Sequence, residues 1–377
     1  DVAVYDATGN LLDYRVDSDG QARIDLAVTG GGTYLVELRG TNSDVDLRLT
    51  NLVTGSDVID VFGTDQDDAF RFRISGGLEV TVNDVVYNFD PAQVALVQYH
   101  GLGGEDSISL TGGPAHDRAV LRANAVSLVG DGYEASGDGF EAIKVFDGGG
   151  GGEAVVFDTA LDDKVTATTG YIVLNNAEYY AKAGGFAAAK IFSTLGGNDV
   201  ARVYDSPGDD QFIGTPDYGV LSGDGYYIKV SGFDTLSTFA SLATDVDTAR
   251  LYDSPGNDVL YGRHGGSDLR GDGYNLYTYG FGRMRAFALY GGSDDAWLYD
   301  SPGNDFFFTQ SGYSKLEGNG YSNAVSYFDR VGAYATAGGD GDHAMLLSLS
   351  SDEQLFATPE YAELISPSFY TVASSFD

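Results

Sequence analysis

The chain of 377 residues contains no cysteine, and it has only 21 lysines and arginines against 56 aspartates and glutamates. The absence of cysteine excludes disulfides, zinc–thiolate sites and cysteine nucleophiles, and it leaves the redox compartment open. No run of about 18 apolar residues is present, which argues against a membrane-spanning helix. A formal net charge of −35 repels the phosphates of nucleic acids and of anionic lipids. The sequence therefore predicts neither a nucleic-acid partner nor membrane insertion.

Catalytic patterns are also scarce. The four histidines, His100, His116, His264 and His343, occupy unrelated positions and are interpreted as surface residues. The glycines at 148–152 lack the strand–turn–helix context that a nucleotide site requires. We expect a protein that is not an enzyme. The remaining catalytic alternative is a polysaccharide-active β-helix enzyme, because polysaccharide lyases place acid and base side chains on one face of such a fold.

The chain does contain a long internal repeat. The peptide LYDSPGND occurs at 251–258 and 298–305, and VYDSPGDD occurs at 203–210. Each copy ends on a closing acid and is preceded by an opening acid eleven residues earlier, as in Asp247 and Asp258. Such self-similarity predicts a repeat protein with a unit of about 47 residues. Blocks open near residues 57, 106, 152, 199, 247, 294 and 342, and the last repeat is truncated.

A phenylalanine follows each closing position by 23 residues from Asp117 onward. All length variation falls between that phenylalanine and the next opening acid, as expected when each repeat is one stacked unit. We call these residues the corner phenylalanines. They are Phe140, Phe186, Phe233, Phe281, Phe328 and Phe376.

The repeat predicts an all-β fold. Within the acid block, residues two and four after the opening acid are apolar, as in Ala249 and Leu251, which is typical of a strand with one buried face. Ser-Pro-Gly-Asn then predicts a tight turn. Two architectures fit the repeat length, a β-solenoid with Tyr204, Tyr252 and Tyr299 aligned, or a β-propeller. The truncated last repeat favours a β-solenoid over 55–377, because a propeller must close its last blade.

Residues 1–54 differ from the repeats. Alternating apolar residues predict five short strands, including 22–28, 32–40 and 45–52, and hence a small antiparallel β-sandwich. The segment GGTYLVELRG resembles a strand of the pre-peptidase C-terminal type of β-sandwich found in secreted bacterial proteins. The early strands of that fold are missing, so we expect the protein to extend upstream of Asp1.

The segment SPGNDVLYG (254–262) resembles the calcium-binding nonapeptide of RTX-type repeats. The longer unit is similar to the tandem Gly/Asp-rich arrays of large secreted bacterial surface proteins. The resemblance implies calcium bound by turn aspartates. The alternative is that these aspartates cap turns through their own backbone. The implied ligands comprise the opening acids Asp199, Asp247 and Asp294, the closing acids Asp210, Asp258 and Asp305, and the strand-end acids Asp205, Asp253 and Asp300.

These features together predict a secreted or cell-surface bacterial structural protein. We expect a non-catalytic segment of an extracellular fibre or adhesin stalk that is stabilised by Ca²⁺. Its expected partners are further copies or neighbouring segments of the same protein. The alternative is an accessory carbohydrate-binding region of a large secreted enzyme, with surface tyrosines and Trp297 contacting glycans.

Overall fold

The chain is built almost entirely of β-strands. Its described residues contain 38 strands and one 3-10 helix, Pro91–Gln93, so the all-β prediction is confirmed. It divides into two compact units, Asp1–Asp117 with Asn124–Gly148, and Arg118–Ala123 with Gly149–Asp377. The computed structural model describes residues 1–16, 24, 33–41, 52–64, 66–241 and 246–376.

The first unit contains a small sheet of three antiparallel strands in the order β2-β1-β3. The predicted strand over 22–28 lies outside the described residues apart from Ile24, as does 45–51. A second layer of the predicted sandwich, and its boundary at residue 54, therefore stay predictions. The strands of this sheet are β1 (Val2–Tyr5), β2 (Leu11–Arg15) and β3 (Leu35–Leu38).

The remainder of the first unit forms two sheets with parallel ladders. One ladder joins β6, β10 and β14, and the other joins β5, β9 and β13. Antiparallel neighbours extend both ladders. The strands are β4 (Leu52–Thr54), β5 (Val58–Phe62), β6 (Ala69–Ile74), β7 (Leu78–Val82), β8 (Val85–Phe89), β9 (Leu96–His100), β10 (Ser107–Thr111), β12 (Asn124–Gly130), β13 (Tyr133–Phe140) and β14 (Ala142–Phe146).

The second unit is a solenoid of two long sheets, which we call sheet I and sheet II. Sheet I comprises β16 (Lys164–Ala167), β17 (Tyr171–Asn175), β18 (Tyr180–Gly184), β20 (Val200–Tyr204), β24 (Thr235–Phe239), β26 (Val259–Arg263), β27 (Gly266–Gly271), β28 (Tyr274–Tyr279), β30 (Asp295–Tyr299), β34 (Arg330–Tyr334), β36 (Gln354–Ala357), β37 (Tyr361–Ser366) and β38 (Phe369–Ser374). Sheet II comprises β11 (Arg118–Arg122), β15 (Glu153–Phe157), β19 (Ala188–Phe192), β21 (Gln211–Gly214), β22 (Tyr218–Gly223), β23 (Tyr226–Ser231), β25 (Thr248–Tyr252), β29 (Arg283–Phe287), β31 (Phe306–Gln310), β32 (Tyr313–Gly318), β33 (Tyr321–Ser326) and β35 (His343–Leu347).

One repeat of the second unit crosses between the sheets three times. Strand β20 lies in sheet I, the antiparallel meander β21–β23 lies in sheet II, and β24 lies in sheet I again. The next repeat therefore starts in sheet II with β25 and places its meander, β26–β28, in sheet I. A repeat is thus one and a half turns of the solenoid. The β-solenoid prediction is confirmed, and the β-propeller alternative is not the fold found.

The predicted alignment of three equivalent tyrosines is wrong for the same reason. An odd number of crossings places Tyr252 in sheet II, whereas Tyr204 and Tyr299 belong to sheet I. Tyr204 stacks instead on Phe239 of the adjacent strand, with ring centroids 4.7 Å apart. Tyr252 stacks on Phe287 at 5.2 Å. Aromatic ladders therefore join strands of one sheet rather than equivalent positions of successive repeats.

The core lies between the two sheets. Ala249 and Leu251 on β25 are fully buried, in agreement with the predicted alternation. The corner phenylalanine Phe281 is also buried and contacts Phe212 at a centroid distance of 6.1 Å. It follows Gly280, whose φ is +82° and where a Cβ would lie 2.2 Å from the carbonyl oxygen of Ala240. Both the backbone conformation and the close approach therefore require glycine at this corner.

Charge is divided between the edges and the flat faces of the second unit. All of its fourteen lysines and arginines lie within strands, whereas only five of its acids do; the other described acids lie in the turns or directly flank the strands. The net charge of −35 therefore does not describe the sheet faces. The strand cations are Arg118, Arg122, Lys164, Lys182, Lys190, Arg202, Lys229, Arg250, Arg263, Arg270, Arg283, Arg285, Lys315 and Arg330.

Candidate functional site: buried aspartates between successive turns

The aspartates of the repeat stand at the ends of strands. In the second unit, the opening acid immediately precedes the first strand of a repeat, and the strand-end acid immediately follows that strand. The closing acid immediately precedes the meander. In the repeat that starts at β25 these residues are Asp247, Asp253 and Asp258, buried to 1%, 1% and 0% relative exposure. Since charged groups are buried only when they are paired or hydrogen-bonded, each must find a partner.

The opening acid binds the backbone of the preceding turn. Asp294 Oδ1 accepts a hydrogen bond of 2.9 Å from the backbone N–H of the closing acid Asp258. Its own N–H donates to Asp329 Oδ2 at 2.8 Å in the following turn. Parallel strands of one ladder are thus capped by a column of carboxylates. The equivalent bonds from closing acid to opening acid join Asp68 to Asp106, Asp163 to Asp199, Asp210 to Asp247, and Asp305 to Asp342.

The closing acid is held within its own repeat. Asp258 accepts hydrogen bonds from the backbone N–H of Ser254 at 2.8 Å and from the Ser254 hydroxyl at 2.9 Å. The Tyr274 hydroxyl donates to its other oxygen at 2.7 Å. Burial and this bond raise the pKa of the Tyr274 hydroxyl. A Cβ at Gly271 would lie 1.9 Å from Asp258 Oδ1, so glycine leaves the space that the carboxylate occupies.

In two repeats an asparagine amide satisfies the closing acid, and the first of these pairs is Asn83 with Asp68. Asn176 stands where Gly271 stands, thirteen residues after the closing acid, and its amide donates to Asp163 Oδ1 at 2.8 Å. The tyrosine of this repeat, Tyr179, donates instead to the carbonyl oxygen of Arg122 at 2.7 Å. The carboxylate of the closing acid therefore receives its side-chain donor in one of two ways. A glycine leaves room for a tyrosine hydroxyl, or an asparagine donates its own amide.

The strand-end acids bind the next turn of the solenoid. Asp300 accepts hydrogen bonds from the backbone N–H groups of Thr336 and Ala337, both at 2.9 Å. Asp253 accepts one from Tyr290 at 2.9 Å through Oδ2. The side chains of the opening and strand-end acids therefore join successive turns. The predicted capping of their own turn describes the closing acids, such as Asp258, and it is wrong for the opening and strand-end acids, which bind the backbone of another turn.

Two groups of three carboxylates converge. In each, one carboxylate oxygen of every member lies within 4.8 Å of those of the other two. The groups combine a strand-end acid and a closing acid with the opening acid of the following repeat. The sequence predicted these residues as ligands without predicting which of them form one group. The triads are Asp205, Asp210 and Asp247, and Asp253, Asp258 and Asp294.

The remaining predicted ligands do not converge in this way. Among the described residues, Asp300 and Asp305 form no such triad, and neither does Asp199. Both oxygens of Asp300 accept backbone N–H groups, and both oxygens of Asp199 are hydrogen-bonded, to Asp163 N–H and Ser193 Oγ. Carboxylates whose oxygens are already satisfied have less need of a cation.

The triad of Asp253, Asp258 and Asp294 contains an unsatisfied oxygen. Asp253 Oδ1 is buried and has no hydrogen-bond partner, which is costly for a charged group. Burial, together with the negative charges of Asp258, Asp253 and Asp329, raises the pKa of Asp294 to about 6. Three buried carboxylates at this distance require a proton or a cation. Oxygen ligands of this kind fit a hard divalent cation such as Ca²⁺ or Mg²⁺.

Further acids of the columns were missed by sequence reasoning. Asp234, Asp329 and Glu141 accept the N–H groups of the opening acids Asp199, Asp294 and Asp106. A signal for them exists, because each directly follows a corner phenylalanine.

The histidines occupy separate sites. His100 lies on β9, 3.3 Å from Asp138 and stacked on Phe62. His264 packs edge-on against Tyr321, and His343 is exposed on β35. His116 is exposed in a turn.

No protein-family model matches the chain, and a search of curated proteins found no match. Among the described residues, there is no helix long and apolar enough to cross a membrane.

Proposed function

We propose that this chain is a non-catalytic structural segment of a secreted bacterial surface protein, part of a fibre or adhesin stalk. The observation that carries the proposal is that most opening, strand-end and closing acids of the repeat motif are buried and that the hydrogen bonds of the motif join one turn to the next. For example, the backbone N–H of Asp258 donates a hydrogen bond to the carboxylate of Asp294, 36 residues later in the sequence. A repeat whose conserved chemistry lies inside the stack serves the stability of the stack.

Self-association is supported by the last described turn. Leu355 stands two residues after Glu353, at the position that the fully buried Leu260 and Phe307 occupy in earlier repeats, yet it is 55% exposed. The neighbouring Phe356 is 50% exposed. Another turn of the same kind, from a second copy or a neighbouring segment, would cover these residues and pair the open strand edge. Sedimentation velocity of this chain over a wide concentration range tests the association of copies, and a monomer at every concentration would contradict association through a second copy.

We further infer that the buried triads bind Ca²⁺. Asp253, Asp258 and Asp294 would hold the ion, with the first contributing its unsatisfied oxygen. The ion would supply positive charge to three carboxylates that otherwise repel one another. Six to eight oxygens are typical for Ca²⁺, so carbonyl groups or water must complete the site.

Thermal unfolding in chelator and in excess Ca²⁺ tests the ion site. Because binding to the folded state alone stabilises it, the Tm of the native chain should rise with Ca²⁺. Asp253→Asn should abolish most of the rise that this triad contributes. The matched control is Asp300→Asn, at the same repeat position outside the triads, which should lower the Tm equally with and without Ca²⁺. An unchanged Tm of the native chain with Ca²⁺ would contradict the site.

A carbohydrate-binding accessory region is the second candidate, and Trp297 is the observation that favours it. Trp297 lies over Gly332 of the adjacent strand, where an added Cβ would be 2.6 Å from its Cε3 atom. A broad aromatic face on a flat sheet is a common platform for sugars. Trp297→Ala should abolish binding to a glycan array, whereas substitution of the exposed turn residue Tyr290 by alanine should not. Array binding unaffected by Trp297→Ala would exclude this platform.

A further inference from the structure

The outer face of sheet II carries a row of cations that follows the stacking direction of the strands. Lys190 faces Lys229 across β19 and β23, and Arg250 faces Arg285 across β25 and β29. Lys315 lies two strands beyond Arg285, on the far side of Ala324. The row covers seven strand spacings, or roughly 34 Å at about 4.8 Å per strand.

Three guanidinium groups at the centre of this row form no ion pair with any residue that the structure describes. Among the ion pairs of the described residues, none includes Arg250, Arg283 or Arg285. The side chains of Arg283 and Arg285 are exposed. Like charges directly opposite each other on a sheet are destabilising. Apart from the facing pair of Arg250 and Arg285, the residues directly opposite these groups on the neighbouring strands are the uncharged Ile213, Thr248, Ser322 and Ala324. These surroundings point to an anion supplied from outside.

On sheet II the paired cations of the row lie at its ends, Lys190 with Glu153 and Lys315 with Glu317. On sheet I three of the six strand cations form ion pairs with aspartates of the sheet. Arg263 and Arg270 both bind the buried Asp268, each at 2.8 Å. Arg330 forms a bidentate pair with Asp295. Lys164 and Arg202 on sheet I face uncharged residues on the neighbouring strands rather than a second cation. They are cations outside the row of sheet II, so sheet I provides an internal control.

We propose that the outer face of sheet II binds a linear anionic polysaccharide, laid along the cation row. A flat row of cations matches an extended polyanion better than a small anion, which needs an enclosed site. Guanidinium groups bind carboxylates and sulfates in bidentate geometry. Thr248 and Ser322 flank Arg283 on the neighbouring strands and offer hydroxyls for neutral sugar groups. This inference is independent of the proposed structural role.

The same face is poorly suited to nucleic acid. Bases stack on exposed aromatic faces. The rings beside the central arginines, Tyr252 and Phe287, cover each other with an interplanar angle of 19°, and the exposed rings of this face, Tyr218, Tyr227 and Phe306, lie on other strands. A five-residue strand is only about 17 Å long, and acidic turns border the face at both ends. A narrow single chain fits between these turns, whereas a duplex would extend over them.

Binding of polygalacturonate to the purified chain tests the proposal, measured in chelator to prevent calcium bridging. The test variant is Arg250→Gln with Arg285→Gln, and the control is Lys164→Gln with Arg202→Gln on the outer face of sheet I. Both variants remove two strand cations. We expect the test variant to lose affinity about tenfold or more, the control to change less than about twofold, and binding to weaken as salt increases.

A neutral polymer of similar length and a single-stranded oligonucleotide complete the experiment. Equal losses in both variants, no loss in either, or absence of polygalacturonate binding would overturn the proposal. Equal binding of the neutral polymer would also overturn it, and tighter binding of the oligonucleotide would replace it by a nucleic-acid site. The Tm of the test variant verifies folding, and it should not fall, because the substitutions remove a repulsive pair.

Discussion

The hydroxyl of Tyr274 donates a hydrogen bond of 2.7 Å to the buried carboxylate of Asp258, sixteen residues earlier in the chain. The same bond recurs at the same spacing in three other repeats. It joins a turn to the start of the strand that ends the meander, so it fixes the meander on its sheet. The equivalent pairs are Tyr133 with Asp117, Tyr226 with Asp210, and Tyr321 with Asp305.

Removing this hydroxyl should destabilise the fold. Tyr274→Phe leaves Asp258 Oδ1 short of a donor inside the protein, which should lower the free energy of unfolding by about 1–3 kcal/mol. Tyr277→Phe is the matched control, because that ring lies on the outer face of the same strand, and it should change stability by less than about 0.5 kcal/mol. Urea unfolding of both variants measures the difference. Equal effects would mean that the bond is not special.

The glycine beside the carboxylate should be equally important. In Gly271→Ala the new Cβ would lie 1.9 Å from Asp258 Oδ1 and 2.4 Å from the Tyr274 ring. We expect a loss of at least about 2 kcal/mol, because two packed groups must move. Gly256→Ala is the control, since its nearest neighbour would be Ser254 Oγ at 3.4 Å. A stability of Gly271→Ala close to that of the control would contradict the packing.

Stability in chelator should depend on pH through the buried opening acids. The pKa of Asp294 and that of Asp106 are each raised to about 6 by burial, from an ordinary value of 3.8. The folded state therefore binds these protons more tightly than the unfolded state, and the contribution of both groups falls as pH rises from about 4 to about 6.

Asp294→Asn tests this contribution, because asparagine resembles the protonated acid. In chelator, the variant should lose less stability than the native chain when the pH is raised through this window. Asp272→Asn, in an exposed turn, should leave the pH dependence unchanged. Excess Ca²⁺ should reverse the trend in the native chain, because metal binding requires deprotonated ligands. Identical pH profiles of Asp294→Asn and the native chain would contradict this assignment.

The aromatic ladder of sheet I should contribute to stability. Phe239 stacks between Tyr204 and Tyr279, with centroid distances of 4.7 and 4.9 Å. Phe239→Ala removes both stacks and should cost about 1–3 kcal/mol. The control Phe306→Ala removes a ring that is 40% exposed on sheet II and should cost less. Denaturant unfolding compares them, and a larger loss in the control would refute a special role for stacking.

Much of the repeat could be predicted from sequence because its signals are local. The alternation at Ala249 and Leu251, the Ser-Pro-Gly turn and the corner phenylalanines each depend on neighbouring residues. No local signal tells whether the number of crossings per repeat is odd or even, because every repeat has the same sequence pattern whichever sheet it starts in. That is why the alignment of Tyr204 with Tyr252 was predicted wrongly.

The candidate site was also predictable only in part, because the residues have local signals in the sequence and their grouping does not. Its residues were found because aspartates at strand ends are recognisable in the sequence. Their grouping was missed, because Asp294 joins Asp253 and Asp258 only through the stacking of one turn on the next. The unsatisfied oxygen of Asp253 likewise depends on how many backbone N–H groups the following turn presents to it.

The three crossings per repeat constrain how such a chain can change in length. Duplication of a single unit of about 47 residues would move every downstream strand to the opposite sheet, so the cation row of sheet II would be interrupted and continued on the other side. Duplication of two units together would keep each face in register. Gain or loss of two repeats at a time therefore preserves a continuous outer face of sheet II. In this fold the segment that can be duplicated without exchanging the two faces is a pair of repeats.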